Sequence, residues 1–156
     1  MVNRFVTAIY CDDVREEVGN KRSFIGVYSG QLLVPSAPVV LPKLCVIVII
    51  HTPRDRPLTK CVIRILRDGD TLFEMPLEPR LLEEAQNKLK AESFPSDLEW
   101  PSIVLHAVAQ FSPFAITGEC KLRIRVQTED EELKGPALRV RVAAPINITL
   151  NSPPSA

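Results

Sequence analysis

Between Cys120 and Gln127 every second residue is apolar: Cys120, Leu122, Ile124 and Val126 alternate with Lys121, Arg123, Arg125 and Gln127. A period of two cannot sit on a helix, whose faces repeat every 3.6 residues. It describes a strand with one face in a core and the other in water. Leu138, Val140 and Val142 alternate with Arg139 and Arg141 in the same way. Strands of this kind must bury their apolar face against a second layer, so the pair already asks for a layered β protein.

The prolines extend that reading along the chain. There are 14 Pro and 6 Gly, where average usage gives about 8 and 11 in this length. Most prolines fall between apolar runs, where a residue without an N–H can end a strand but not continue a central ladder. The expected strands are Phe5–Cys11, ended by Asp12-Asp13; Ser23–Tyr28, after a Gly19-Asn20 turn; the buried central run Leu44–Ile50; Leu58–Arg67 and Thr71–Leu77 around Asp68-Gly69-Asp70; Ser102–Gln110; and the two alternating segments. Asp-Gly between apolar runs is a strong hairpin signal. One helix is expected over Pro79–Glu92, with Leu81, Leu82, Ala85 and Leu89 as its apolar stripe and Glu84–Lys88 as an i,i+4 pair. The segment Gly118–Val142 reads like the last hairpin of an immunoglobulin-like sandwich, although no Cys…Trp…Cys pattern accompanies it. The fold class is therefore mainly β: an immunoglobulin-like or related Greek-key β-sandwich of about seven to nine strands with one short surface helix. Residues 1–143 form the single domain, and 144–156 a partly disordered tail with a short strand at Ile146, Ile148 and Leu150.

Lys+Arg and Asp+Glu are both 19, so the formal net charge is zero and a globally basic nucleic-acid binder is disfavoured. The longest apolar run, Leu44–Ile50, is far short of the ~18 residues that span a bilayer, and Phe5–Cys11 lacks the features of a signal peptide. No membrane association is expected, and the compartment is taken as cytoplasmic. Cys11, Cys45, Cys61 and Cys120 contain no close-spaced pair, which reads as buried free thiols rather than a zinc site. Asn147-Ile148-Thr149 matches a glycosylation sequon, which carries no meaning without secretion.

No nucleophile elbow, H-E-x-x-H or P-loop is present, and no catalytic residue or cofactor is assigned. The most pointed feature is a basic ladder. Lys121, Arg123, Arg125, Arg139 and Arg141 share the outer face of one hairpin. Matching core to core places Arg123 beside Arg139 and Lys121 beside Arg141, and opposed like charges are unfavourable. Three things would relieve them: carboxylates on a neighbouring strand, the acidic loop Glu129–Glu132 folding back, or an anionic partner held by arginine forks. Nucleic acid is the weaker partner, because no aromatic residues interleave with the basic ones.

Tyr10-Cys11-Asp12-Asp13-Val14-Arg15-Glu16-Glu17, then Gly19-Asn20-Lys21, Ser23-Phe24-Ile25-Gly26-Val27 and Leu41-Pro42-Lys43-Leu44-Cys45 resemble a signature of small uncharacterised bacterial cytosolic proteins with no known activity. The resemblance covers most of residues 4–142 and implies a bacterial cytosolic origin. It makes Asp12, Asp13, Arg15 and Glu16 the second candidate surface. Two functions compete. The first is a non-enzymatic protein-binding or assembly module, its basic strand face meeting an acidic protein or a second copy. The second is a small metal-dependent or hydrolytic enzyme around Asp12, Asp13, Glu16 and His51, since hard cations favour several carboxylate oxygens.

Overall fold

A computed structural model describes residues 3–91 and 102–144. Trp100, the expected strand at Ile146–Leu150, the sequon at Asn147 and the rest of the C-terminal tail lie outside the described residues. In chain order the elements are β1 (Phe5–Glu17), β2 (Lys21–Tyr28), β3 (Gln31–Val34), β4 (Val39–Leu41), β5 (Leu44–Pro53), β6 (Cys61–Arg67), β7 (Asp70–Pro76), α1 (Pro79–Ala91), β8 (Ser102–Phe111), β9 (Phe114–Ile116), β10 (Cys120–Thr128), β11 (Glu132–Lys134) and β12 (Leu138–Val142).

The chain is mainly β. One sheet runs β2-β1-β5-β8; a second runs β3-β12-β10-β6-β7, with β11 also on β10; β4 and β9 form a small third pair. The pairings are antiparallel except β3 on β12, which is parallel. Both large sheets feed one core. Val46, Val48 and Ile50 come from the first, and Ile63, Ile65, Leu122, Ile124, Leu138 and Val140 from the second. The alternation that defined β10 and β12 thus puts their apolar residues against the other sheet. β5 lies between β1 and β8, and its remaining residues Cys45 and Ile47 are also buried, in a satellite cluster on the other face with Cys11. A run apolar on both faces suits that central position.

Turn chemistry follows the sequence closely. Gly19 and Asn20 have φ of 83° and 57°, and Asp68 and Gly69 have 50° and 100°. Two consecutive left-handed residues give the turn whose twist matches a hairpin.

Twelve strands form among the described residues rather than the expected seven to nine, because short segments such as β4, β9 and β11 also pair. Three further expectations are corrected. Asp12-Asp13 does not end β1, which continues to Glu17 and pairs with β2 through Glu17↔Lys21. The acidic residues are tolerated because β1 and its neighbours supply partners: Arg22 to Glu16 at 2.8 Å and Lys43 to Asp13 at 2.8 Å. The helix covers Pro79–Ala91, the expected Glu92 lying outside the described residues, and buries only Leu82 of the expected stripe. Leu82 and Gln86 are its buried residues, while Leu81 is 59% exposed. Gln86 is held by Leu58: its Oε1 accepts the Leu58 N–H at 2.8 Å and its Nε2 donates to the Leu58 carbonyl at 2.9 Å. The helical ion pair is Arg80–Glu84 at 3.0 Å. Third, the β10–β12 register is Cys120↔Val140, Lys121↔Arg139, Leu122↔Leu138, two residues from the expected one. The β10–β11 turn sets it first, with Gln127 opposite Glu132, and the Gly135-Pro136 break then moves the pairing by one residue. Its Gly135 N–H donates to the Ile124 carbonyl, and a Cβ on Gly135 would come within 3.0 Å of Ile124 Cβ. Parity is kept, so the faces stay as read.

Candidate functional site

The outer face of the second sheet carries the basic ladder, with Lys121, Arg123 and Arg125 on β10 and Arg139 and Arg141 on β12. The register opposes Lys121 directly to Arg139, and sets Arg125 between Lys134 of β11 and Arg64 of β6. The two ends of the ladder resolve the repulsion differently. Arg125 lies 3.5 Å from Glu132, and its Nη1 donates to the Ile124 carbonyl at 2.8 Å. Arg64 is paired with Glu74 of β7 at 2.6 Å. Among the described residues no carboxylate comes within 4 Å of the charged groups of Lys121, Arg123, Arg139 or Arg141. Two acids nearby are engaged by backbone instead. Asp68 Oδ1 accepts the Lys121 N–H at 2.8 Å, and Glu119 Oε1 accepts the Val142 N–H at 3.1 Å. The remaining neighbours on β3 are Gln31 beside Arg139 and Leu33 beside Arg141.

Most of the acidic loop does not fold back on the ladder. Glu129 and Asp130 turn to Arg4, at 2.6 and 3.4 Å, and Glu131 to Arg56 at 3.6 Å; only Glu132 reaches a ladder residue. Arg4 went unremarked in the sequence, yet its side chain is fully buried. It donates to Thr52 Oγ1 at 3.1 Å and to the carbonyls of Arg56 and Pro57 at 2.9 and 3.2 Å. Glu129 in turn accepts the backbone N–H groups of Thr59 and Lys60. Burial pushes the Glu129 carboxyl up, but hydrogen bonds from its own backbone, Arg4, Thr59 and Lys60 outweigh this and hold it below the usual carboxylate range. The cluster is a structural clamp between the chain start, the β5–β6 loop and the β10–β11 turn.

The second candidate surface is also drawn into local pairing. Asp13 meets Lys43, whose hydrogen bond lowers its carboxyl, and lies 3.7 Å from Arg15. Asp12 Oδ1 accepts the Tyr28 hydroxyl. Burial first, then this bond, raises the Tyr28 phenol well above its ordinary value. Gly26, at φ 66°, makes the arrangement possible, because a Cβ there would overlap the Asp12 carboxylate. The structure brings two of the signature segments together, with Cys11 directly opposite Cys45. Burial first, then the neighbouring Cys45, pushes the Cys11 thiol up to about 11.

The enzyme constellation is not assembled. His51 lies opposite Phe5, its ring stacked on the Phe5 ring at 4.2 Å. Lys43, which meets Asp13, is eight residues away along the chain, roughly 26 Å of extended strand. Burial lowers the His51 imidazole, and His106 lowers it further. Among the described residues no group of three or more His, Cys, Asp or Glu could hold a metal ion. A cavity of about 820 Å³ is an apolar groove at the seam between β7, α1 and β8, lined also by Ile50 and Ile63. It offers one carboxylate, Glu78, and one imidazole, His106. No helix among the described residues is long and apolar enough to cross a membrane.

Residues 6–141 match the family of unknown function DUF6941, and the chain belongs to that family. No match to a curated protein was found.

Proposed function

We propose that this chain is a non-enzymatic binding or assembly module that presents the outer face of the β3-β12-β10-β6-β7 sheet to an anionic surface of another protein. The observation that carries the reading is the opposed pair Lys121↔Arg139, flanked by Arg123 and Arg141, with no carboxylate of the described residues within 4 Å of their charged groups. Opposed like charges cost the isolated chain stability, and an arginine-rich face without internal partners recovers that cost on meeting carboxylates or phosphates. A second copy of the chain is the alternative partner. A bacterial cytoplasmic setting, implied by the sequence resemblance, belongs to the same proposal.

An immunoglobulin-like Greek-key sandwich is the fold reading that goes with it. The order β3-β12-β10-β6-β7, with the short β3 parallel to the last strand, and β1-β5-β8 facing it, supports this reading. In it β1 and β5 correspond to the central strands of one sheet, and β6, β10 and β12 to the three-stranded core of the other.

The test is affinity capture from a native bacterial lysate with the parent chain and its Arg123→Glu/Arg141→Glu variant, both verified as folded. A protein retained by the parent and lost by the variant is the expected result. Identical eluates would overturn the basic face as the interface.

A further inference from the structure

The ladder is not uniform: a cavity of about 350 Å³ opens at one point on it, lined by Ser29, Gly30, Gln31, Lys121, Ala137 and Arg139. Its position follows from the register. Lys121 of β10 is opposite Arg139 of β12, and Arg139 is opposite Gln31 of β3. Three neighbouring strands, about 4.8 Å apart, therefore set an ammonium, a guanidinium and a carboxamide in one row on one face. Gly30, at φ 78°, turns the chain into β3 while its carbonyl accepts the Arg139 N–H at 3.0 Å, which fixes the rim next to the row. Neither cation has a carboxylate within 4 Å among the described residues, and the closest acid in register, Asp68, spends Oδ1 on the Lys121 backbone N–H.

We infer that this notch seats a phosphoryl group; the inference rests on the binding face proposed above and names what that face holds. Charge matching selects the ligand. Two opposed cations are balanced by one dianion, whereas a carboxylate balances one of them, and a phosphate monoester carries a charge of about −1.5 to −2 at pH 7 with three acceptor oxygens. The donors suit it: the Arg139 fork for two oxygens, Lys121 as a point charge, and the Ser29 hydroxyl and Gln31 amide at the rim.

The experiment titrates inorganic phosphate into the 15N-labelled chain at constant ionic strength and follows amide shifts, with acetate and a phosphoserine peptide as parallel arms. The expected result is saturable shifts centred on residues 29–31, 121 and 139. Affinity for the phosphoserine peptide should tighten as pH rises through about 6, where the monoester dianion forms. Arg139→Gln and Lys121→Gln should each weaken binding at least tenfold, while Arg80→Gln, the same charge change on the helix, leaves it within twofold. A phosphoserine peptide binding more tightly than free phosphate assigns the group to a phosphorylated partner; equal binding assigns it to the free anion. Absent or non-saturable shifts, shifts that survive Arg139→Gln, or equal binding of acetate would overturn the seat. Loss of a captured partner in Arg123→Glu/Arg141→Glu with no phosphate binding would remove the notch and leave the face. Phosphate binding with unchanged capture would do the reverse.

Discussion

Arg4 shows how much one side chain can hold. Its guanidinium is fully buried, yet each direction of its fork meets an acceptor: Thr52, two loop carbonyls and the Glu129 carboxylate. Burying a charge is tolerated only when it is paired and fully hydrogen-bonded. Removing it leaves Glu129 without its counter-ion and takes a donor from the Arg56 and Pro57 carbonyls, of which Arg56 keeps the Thr52 hydroxyl at 2.9 Å. Breaking such a pair costs about 3–5 kcal/mol, and because Glu129 remains a quarter exposed we expect Arg4→Ala to fall near the lower bound, about 3 kcal/mol. Urea unfolding at pH 7 measures it; a loss under about 0.5 kcal/mol would place the cluster among inconsequential surface pairs. The pH dependence has a definite sign. Glu129 is held below its unfolded value of 4.5, so its contribution is present above that pH and disappears as pH falls through the lowered native value. The difference between parent and Arg4→Ala should therefore narrow on acidification below pH ~4.5, as the carboxylate is protonated.

At the scale of elements, α1 is joined to the sheets by a clamp rather than by a broad apolar stripe. Leu82 and Gln86 are its buried residues, and Gln86 satisfies both backbone groups of Leu58, itself only 3% exposed. An amide that bonds one residue's N–H and C=O together imitates a strand neighbour, which ties the helix to the chain just before β6. Replacing it strands two buried polar groups, each worth about 1–3 kcal/mol when left unmade. Gln86→Ala should lower stability by about 2 kcal/mol and raise amide exchange across Pro79–Ala91 more than in β5 or β10. Uniform exchange in all three would mean that the helix is held by something other than this clamp. The clamp also explains why the helix was legible in its span but not in its buried face. Leu81 and Leu89 obey helical spacing, but a spacing rule ranks residues by hydropathy and cannot see a glutamine whose partners lie 28 positions away.

For the molecule as a whole, what could be read beforehand follows the range of the interactions. Hairpin turns at Gly19-Asn20 and Asp68-Gly69 and the alternating faces of β10 and β12 are local, and they were visible. The continuation of β1 past Asp12-Asp13 was not, because its support comes from Lys43 and Tyr28, far along the chain. The register of the ladder sits between these cases: parity follows from the core, but the two-residue offset depends on where the β10–β11 turn closes, with Thr128 N–H on the Glu131 carbonyl, and on the one-residue step at Gly135-Pro136. The same long-range pairing decides where charge is left over. The chain is neutral in sum, yet Glu129 and Asp130 are turned to Arg4, Glu131 to Arg56 and Glu74 to Arg64, so Lys121, Arg123, Arg139 and Arg141 stand as a local excess on one face. A neutral protein with a segregated face attracts an anionic partner over a distance set by screening, about 10 Å at 0.1 M salt and about 3 Å at 1 M. The association should therefore weaken by on the order of tenfold or more between these concentrations, mainly through a slower on-rate. Surface plasmon resonance with the captured partner, run at both salts, reads this directly. An affinity indifferent to salt would assign the contact instead to the exposed apolar residues of the β1–β2 hairpin, Val18 at 94% and Val27 at 55% exposure, whose burial strengthens rather than fades as salt rises.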